Sequence, residues 1–197
     1  MAREPTHEFL TGDGGDRRKF LRSTLGRVVD EVTKRTERRV VPIRYFRPPG
    51  ALEEVAFIAA CTRCGDCVDV CPANAIVNAP PGAGLAAGTP VIDPAIQPCT
   101  VCPDMPCVEV CPTDALTAPE HLWEGYRMAT LELVPERCIA FNNIECGVCA
   151  RVCPVGEKAM GLDDRGRPII RAEGCVGCGV CVRACVTTPS SLILTLE

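Results

Sequence analysis

The chain has 197 residues, enough for one domain or two small ones, and its sixteen cysteines, eighteen prolines and 4% aromatic residues exclude an ordinary core of large side chains. No window approaches the roughly 18 uncharged apolar residues of a membrane span, and neither His7 nor His121 sits in a nucleophile motif; no G-x-G-x-x-G or Walker A stretch offers a nucleotide site. The formal charge of −4 hides a split: residues 1–50 carry 12 Lys+Arg against 7 Asp+Glu, and residues 51–197 carry 9 against 18. The domains expected from this are a basic N-terminal arm over 1–50 and an acidic body over 51–197, with no nucleic acid and no small-molecule substrate as partner.

Within the arm, residues 17–39 read RRKFLRSTLGRVVDEVTKRTERR. Arg17 and Arg18, followed by Phe20 and Leu21, fit the start of a twin-arginine export signal, which is followed by an apolar stretch of about 7–15 residues. Here that stretch is charged, with Arg27, Asp30, Glu31 and Lys34, and no small-residue cleavage site follows. By its own residues the segment fails as a signal. The expected location is therefore the cytoplasm, with export to the periplasm, directly or with a signal-bearing partner, as the alternative. As a helix, the segment gathers Phe20, Leu21, Leu25, Val28, Val29 and Val32 on one side. That stripe suits a solvated amphipathic helix, or docking on a partner or an anionic membrane surface.

All sixteen cysteines follow residue 60, in four groups of four that form an internal repeat. The first motif, 61–72, has Cys61, Cys64, Cys67 and Cys71, then Pro72; the second, 99–112, has Cys99, Cys102, Cys107 and Cys111, then Pro112. The third, 138–154, sets Cys138 well ahead of Cys146, Cys149 and Cys153, with Pro154 after; the fourth, 175–186, has Cys175, Cys178, Cys181 and Cys185, with Val186 in place of proline. Motifs one and four follow the C-x2-C-x2-C-x3-C spacing in which cysteine thiolates hold a 4Fe-4S cluster. Three thiolates spaced three residues apart wrap three corners of a cubane. The fourth, after a longer step, points to the neighbouring cluster. Gly65, Gly147, Gly177 and Gly179 let the backbone come close enough for its N–H groups to bond sulfur.

Other chemistries fit less well. Four repeats of one local spacing do not resemble a disulfide framework, and three ligands within seven residues suit a cubane better than a tetrahedral zinc ion. For Cys138, the alternative is a free buried thiol beside a three-ligand site.

Between motifs three and four, residues 153–175 predict a helical turn after Cys-Pro, a strand near 159–162, a turn at 163–166 and a second strand near 168–171. Residues 80–90, PPGAGLAAGTP, read as a surface loop. Four motifs make two double-cluster modules. Spacing leaves two pairings open: first with second and third with fourth, or first with fourth around second with third.

The motif order, with its C-x2-C-x4-C-x3-CP second member and C-x7-C-x2-C-x3-CP third, resembles the NapG/MauM-type ferredoxins, as do RPPGALEEVAFIAAC at 47–61 and GLAAGTP at 84–90. The likeness covers about residues 43–190. Those proteins are electron-transfer partners of periplasmic nitrate reductase and of methylamine utilisation, and they usually carry a complete twin-arginine signal, from which residues 17–39 depart. The resemblance implies four 4Fe-4S clusters, held by the sixteen cysteines named above. It implies an electron carrier without a catalytic residue, passing single electrons from a quinol-oxidising or other donor module to a terminal oxidoreductase. A cluster assembly or maturation factor is the alternative. Related four-cluster subunits of molybdenum enzymes are nested, so the expected fold is α+β, two bacterial-ferredoxin-like modules in nested pairing, preceded by a helical arm.

Overall fold

The computed structural model describes residues 44–196 with the exception of Leu122. The arm helix and the twin arginines expected over 17–39 lie outside the described residues. Among those described, no helix is long and apolar enough to cross a membrane.

Helix α1 (Glu54–Ala60) opens with acidic residues at its N-terminal end, where the helix dipole favours them, and buries Phe57 completely. It stops where Cys61 turns extended (φ −69°, ψ 116°), which delivers the chain to the first motif. Four further helices are single turns: α2 (Asp66–Asp69), α3 (Pro106–Glu109), α4 (Val148–Arg151) and α5 (Val180–Arg183). One turn is far too short to hold itself in water. Each is entered through a left-handed residue, respectively Gly65, Met105, Gly147 and Gly179, and each carries the third cysteine of its motif.

The strands form three separate antiparallel pairs. Between motifs one and two, β1 (Ile76–Asn78) pairs with β2 (Pro90–Ile92), Val77 opposite Val91. Between motifs three and four, β4 (Met160–Leu162) pairs with β5 (Pro168–Ile170), Gly161 opposite Ile169. The turn between β4 and β5 is fixed by Asp163, whose Oδ1 accepts from the N–H groups of Arg165 (2.9 Å) and Arg167 (2.8 Å). Outside motifs three and four, β3 (Thr130–Leu133) pairs with β6 (Leu192–Thr195). Outside motifs one and two, a bridge joins Ala51 to Leu116, with Thr117 N–H donating to the Gly50 carbonyl at 2.7 Å. The same plan thus occurs twice: an outer segment, a motif, a hairpin, a motif, and a returning outer segment.

This topology corrects the nested pairing. The connector between motifs one and two folds back as β1–β2, and that between motifs three and four as β4–β5, so each hairpin lays consecutive motifs side by side, the usual outcome for short antiparallel connections. Helix α2 packs on α3, and α4 on α5. Module one spans 51–117 and module two 130–195.

Two further expectations change. Residues 44–50, assigned to the basic arm by charge, belong to the folded body: Phe46 is buried and its carbonyl accepts from Ile92 N–H at 2.8 Å. Arg47 is only 8% exposed and bonds Glu54 (2.5 Å), Thr89 Oγ1 (2.7 Å) and the Pro90 carbonyl (2.9 Å). Its guanidinium also lies 4.6 Å from the Phe57 ring centre. The 80–90 stretch is more ordered than a plain loop. Residues Pro81–Ala86 form tight 3-10 turns broken at Gly84, and Arg63 clamps them by donating to the carbonyls of Leu85 and Ala87, each at 2.9 Å.

The core is built around sulfur. A larger buried cluster combines Phe57, Ile76, Ile92 and Met105 with Cys67, Cys99, Cys107 and Cys178. A smaller one holds Leu131, Met160, Cys181 and Leu192.

Candidate cluster-binding site

The cysteines stand on a backbone that repeats its own conformation. The residue before the second cysteine is left-handed in motifs one, two and four: Arg63 (φ 61°), Val101 (φ 59°) and Gly177 (φ 68°). Three residues after the fourth cysteine, the chain is left-handed again at Asn74, Asp114 and Gly156. A side chain rarely accepts this region; a β-branched valine there is held by its surroundings. The return for this conformation is a concave wall with N–H groups turned inward. Among those that reach sulfur, Ala75 N–H donates to Cys71 Sγ at 3.4 Å and Val101 N–H to Cys99 Sγ at 3.5 Å.

Three cavities are each lined by four cysteines. Cys61, Cys64 and Cys67 are joined by Cys111 from motif two. Cys99, Cys102 and Cys107 are joined by Cys71 from motif one. Cys175, Cys178 and Cys181 are joined by Cys153 from motif three. We call these sets one, two and four. In the remaining set three, Cys138 and Cys146 act electrostatically on Cys149. A 3-10 turn over Ile139–Asn142 and a left-handed Asn143 absorb the long insertion and return the chain to Cys146. Cys138 is buried.

The donor chemistry fits a cluster. All sixteen cysteines are free of disulfides. The four-thiol cavities offer the donor set of a sulfur-bridged iron cluster. Burial pushes the thiols of Cys99, Cys107 and Cys181 up to about 12, and those of Cys67 and Cys178 up to about 11, each further opposed by neighbouring cysteines. Without iron these five buried thiols stay protonated, and loading their sets must expel those protons. Cys185 behaves differently. Its partial burial opposes ionisation but is outweighed by hydrogen bonds, led by the Thr187 hydroxyl at 3.2 Å, and its thiol falls to about 7.

Family models for a 4Fe-4S dicluster domain match residues 60–115, 98–157 and 130–186. The chain is 39% identical to the ferredoxin-type protein NapG of Escherichia coli over 164 residues, 77% of this chain and 71% of that one. It is 38% identical to the methylamine utilization ferredoxin-type protein MauM of Paracoccus denitrificans over 154 residues (74% and 69%) and 34% identical to NapG of Haemophilus influenzae over 199 residues (90% and 70%). The chain belongs to the NapG/MauM family of ferredoxin-type proteins. As a member it is an electron carrier that transfers electrons through 4Fe-4S clusters and works with redox partners. The first and last family matches each lie within one structural module, 60–115 inside module one and 130–186 inside module two.

Some contributors carry no sequence signature. Trp123, the chain's single tryptophan, lines the set-two cavity and donates its indole N–H to the Cys102 carbonyl at 2.6 Å. Nothing in its local spacing ties it to a cysteine 21 residues away. Arg63 sits inside motif one, yet its role as clamp depends on a loop more than 20 residues on.

Proposed function

We propose that the chain is a four-cluster relay, passing single electrons between a donor module and a terminal oxidoreductase as a subunit of a redox complex. The observation that carries this is the twofold repetition of one plan, each copy bringing cysteines from two motifs into shared cavities. Cys61, Cys64, Cys67 and Cys111 hold one cluster; Cys71, Cys99, Cys102 and Cys107 the second. Cys138, Cys146 and Cys149, completed by Cys185 at the end of the packed α4–α5 pair, hold the third, and Cys153, Cys175, Cys178 and Cys181 the fourth. Bound there, 4Fe-4S clusters supply one-electron carriers. The protein's own residues would hold them as thiolates, direct N–H dipoles at sulfur, and shield the buried cysteines from water; these factors set the potentials.

Four clusters, each with four thiolates and an oxidised core of +2, bring the net charge from −4 to about −12. This acidity, concentrated in residues 51–197, favours donor and acceptor proteins with basic docking faces. Residues 17–39 serve as an accessory docking arm for a partner or membrane surface. Their charged run supports a cytoplasmic location, with periplasmic export the alternative, and fractionation of the host separates the two.

The test is the iron and sulfide content of anaerobically purified protein after gel filtration. Sixteen irons per chain are expected in the wild type, and loss of one cluster's signal in Cys64→Ser. Fewer than sixteen irons, or a Cys64→Ser protein with unchanged iron and redox behaviour, would overturn the assignment.

A further inference from the structure

Relay through four carriers requires an order, and the fold supplies one. Within module one, α2 packs on α3, bringing the third cysteines Cys67 and Cys107 together; within module two, α4 on α5 does the same for Cys149 and Cys181. Set one is therefore next to set two, and set three next to set four.

The junction between modules is asymmetric. Cys178 is buried in the larger core with Cys67, Cys99 and Cys107, all from module one. Its own set-mates Cys181, Cys175 and Cys153 belong to the smaller core with Cys149. Set four thus reaches into module one, and it does so through Cys178. The backbone around that cysteine is shaped for close approach. Met128 N–H donates to the Val176 carbonyl at 2.9 Å, and a Cβ at Gly177 would lie 2.0 Å from the Ala129 oxygen. On the other side of Cys178, a Cβ at Gly179 would lie 2.5 Å from Cβ of Pro94, in the segment of module one that leads from β2 to Cys99. The glycine at 179 allows the modules to close at this place, while Gly177 lets the chain before β3 pack against the backbone beside Cys178.

We propose that the sets stand in the row one, two, four, three, with Cys99 and Cys178 facing each other across the module boundary as the crossing point. The inference rests on the four-cluster reading and deepens it. Sets one and three then form the ends. At the set-one end Cys64 is the one exposed cysteine among the sixteen, beside the clamped turns at 81–86. One electron taken from a reduced partner protein at one end is handed on three times and given to an oxidised partner at the other, with no bond made or broken.

Spin–spin coupling in the fully reduced holo-protein tests the order. With set two removed by Cys102→Ser, the set-one signal is expected to lose its splitting while sets four and three stay coupled. With set three removed by Cys146→Ser, the remaining three are expected to stay coupled. An isolated spin in Cys146→Ser, or a set one still split in Cys102→Ser, would overturn the order. Should either variant fail to fold, iron anomalous scattering from crystals of the unmodified holo-protein reads the row directly, and a shortest inter-module contact other than set two to set four refutes it. Iron content of the unmodified protein is a separate reading. Fewer than sixteen irons would overturn the relay and the order together, whereas sixteen irons with the wrong neighbours would overturn the order alone.

Discussion

Two glycines of similar φ do different work in this protein. Gly65 (φ 92°) opens α2 with nothing within 4 Å of a would-be Cβ, whereas Gly177 (φ 68°) has the Ala129 carbonyl pressed against the same position. The first position meets only the left-handed penalty of about 1–2 kcal/mol for an alanine. The second adds a collision with backbone, which no rotamer relieves. Gly177→Ala is expected to destabilise the holo-protein by more than about 3 kcal/mol and to weaken iron retention in set four. Gly65→Ala should remain within about 2 kcal/mol of wild type. Thermal unfolding with iron analysis of both variants checks the pair; equal losses would contradict the packing account.

At the scale of elements, a buried charge helps to hold α1 to the first hairpin. Arg47 pairs with Glu54 in α1 and donates to Thr89 and Pro90 at the start of β2, beside the apolar core that Phe57 shares with Ile76 and Ile92. Removing one member of such a pair leaves the other buried and unmatched, at about 3–5 kcal/mol. Arg47→Ala should therefore cost about that much in denaturant unfolding, and Arg47→Lys should recover only part, because an ammonium cannot bond the carboxylate in a fork while reaching both other acceptors. A loss under about 1 kcal/mol in Arg47→Ala would rule out this role. The sequence made some elements legible and hid others for local reasons. The β4–β5 hairpin was readable because its turn chemistry lies between two short apolar runs. The β1–β2 hairpin was not, because the Pro- and Gly-rich stretch 80–90 sits between its strands and disguises a return as a loop. With that hairpin hidden, motif spacing alone could not choose the pairing. Charge counting likewise puts Arg47 in a basic arm, since a tally of charges does not register an ion pair.

Across the whole molecule, sulfur takes the place that large side chains fill in other cores. Six of the buried apolar residues are cysteines, and the burial that raises Cys99, Cys107 and Cys181 to about 12 acts while those thiols carry protons. For an acid whose folded value is raised, stability is present below the unfolded value and lost as pH climbs towards the folded one. The apo-protein should therefore lose stability between about pH 9 and about pH 12, the window from the ordinary thiol value to those of the buried cysteines. The loaded protein, whose thiolates are held by iron, should lack this loss. Circular dichroism of the two forms over that range decides it, and parallel curves would refute the claim. The sixteen thiols were legible from spacing because each motif is local. Which thiols are deepest was not, because burial depends on how the modules close.

The two modules close at different points along the chain. Module one has its returning segment in place once Thr117 is made, with Thr117 N–H bonded to Gly50, while β3 of module two waits for β6 at 192–195. On a ribosome, where the N-terminal part emerges and folds first, the first half can form before the second half has its closing strand. Biogenesis then runs in the direction of translation, and a nascent chain stalled between the modules would already present the eight cysteines of the first module to the machinery that delivers iron and sulfide.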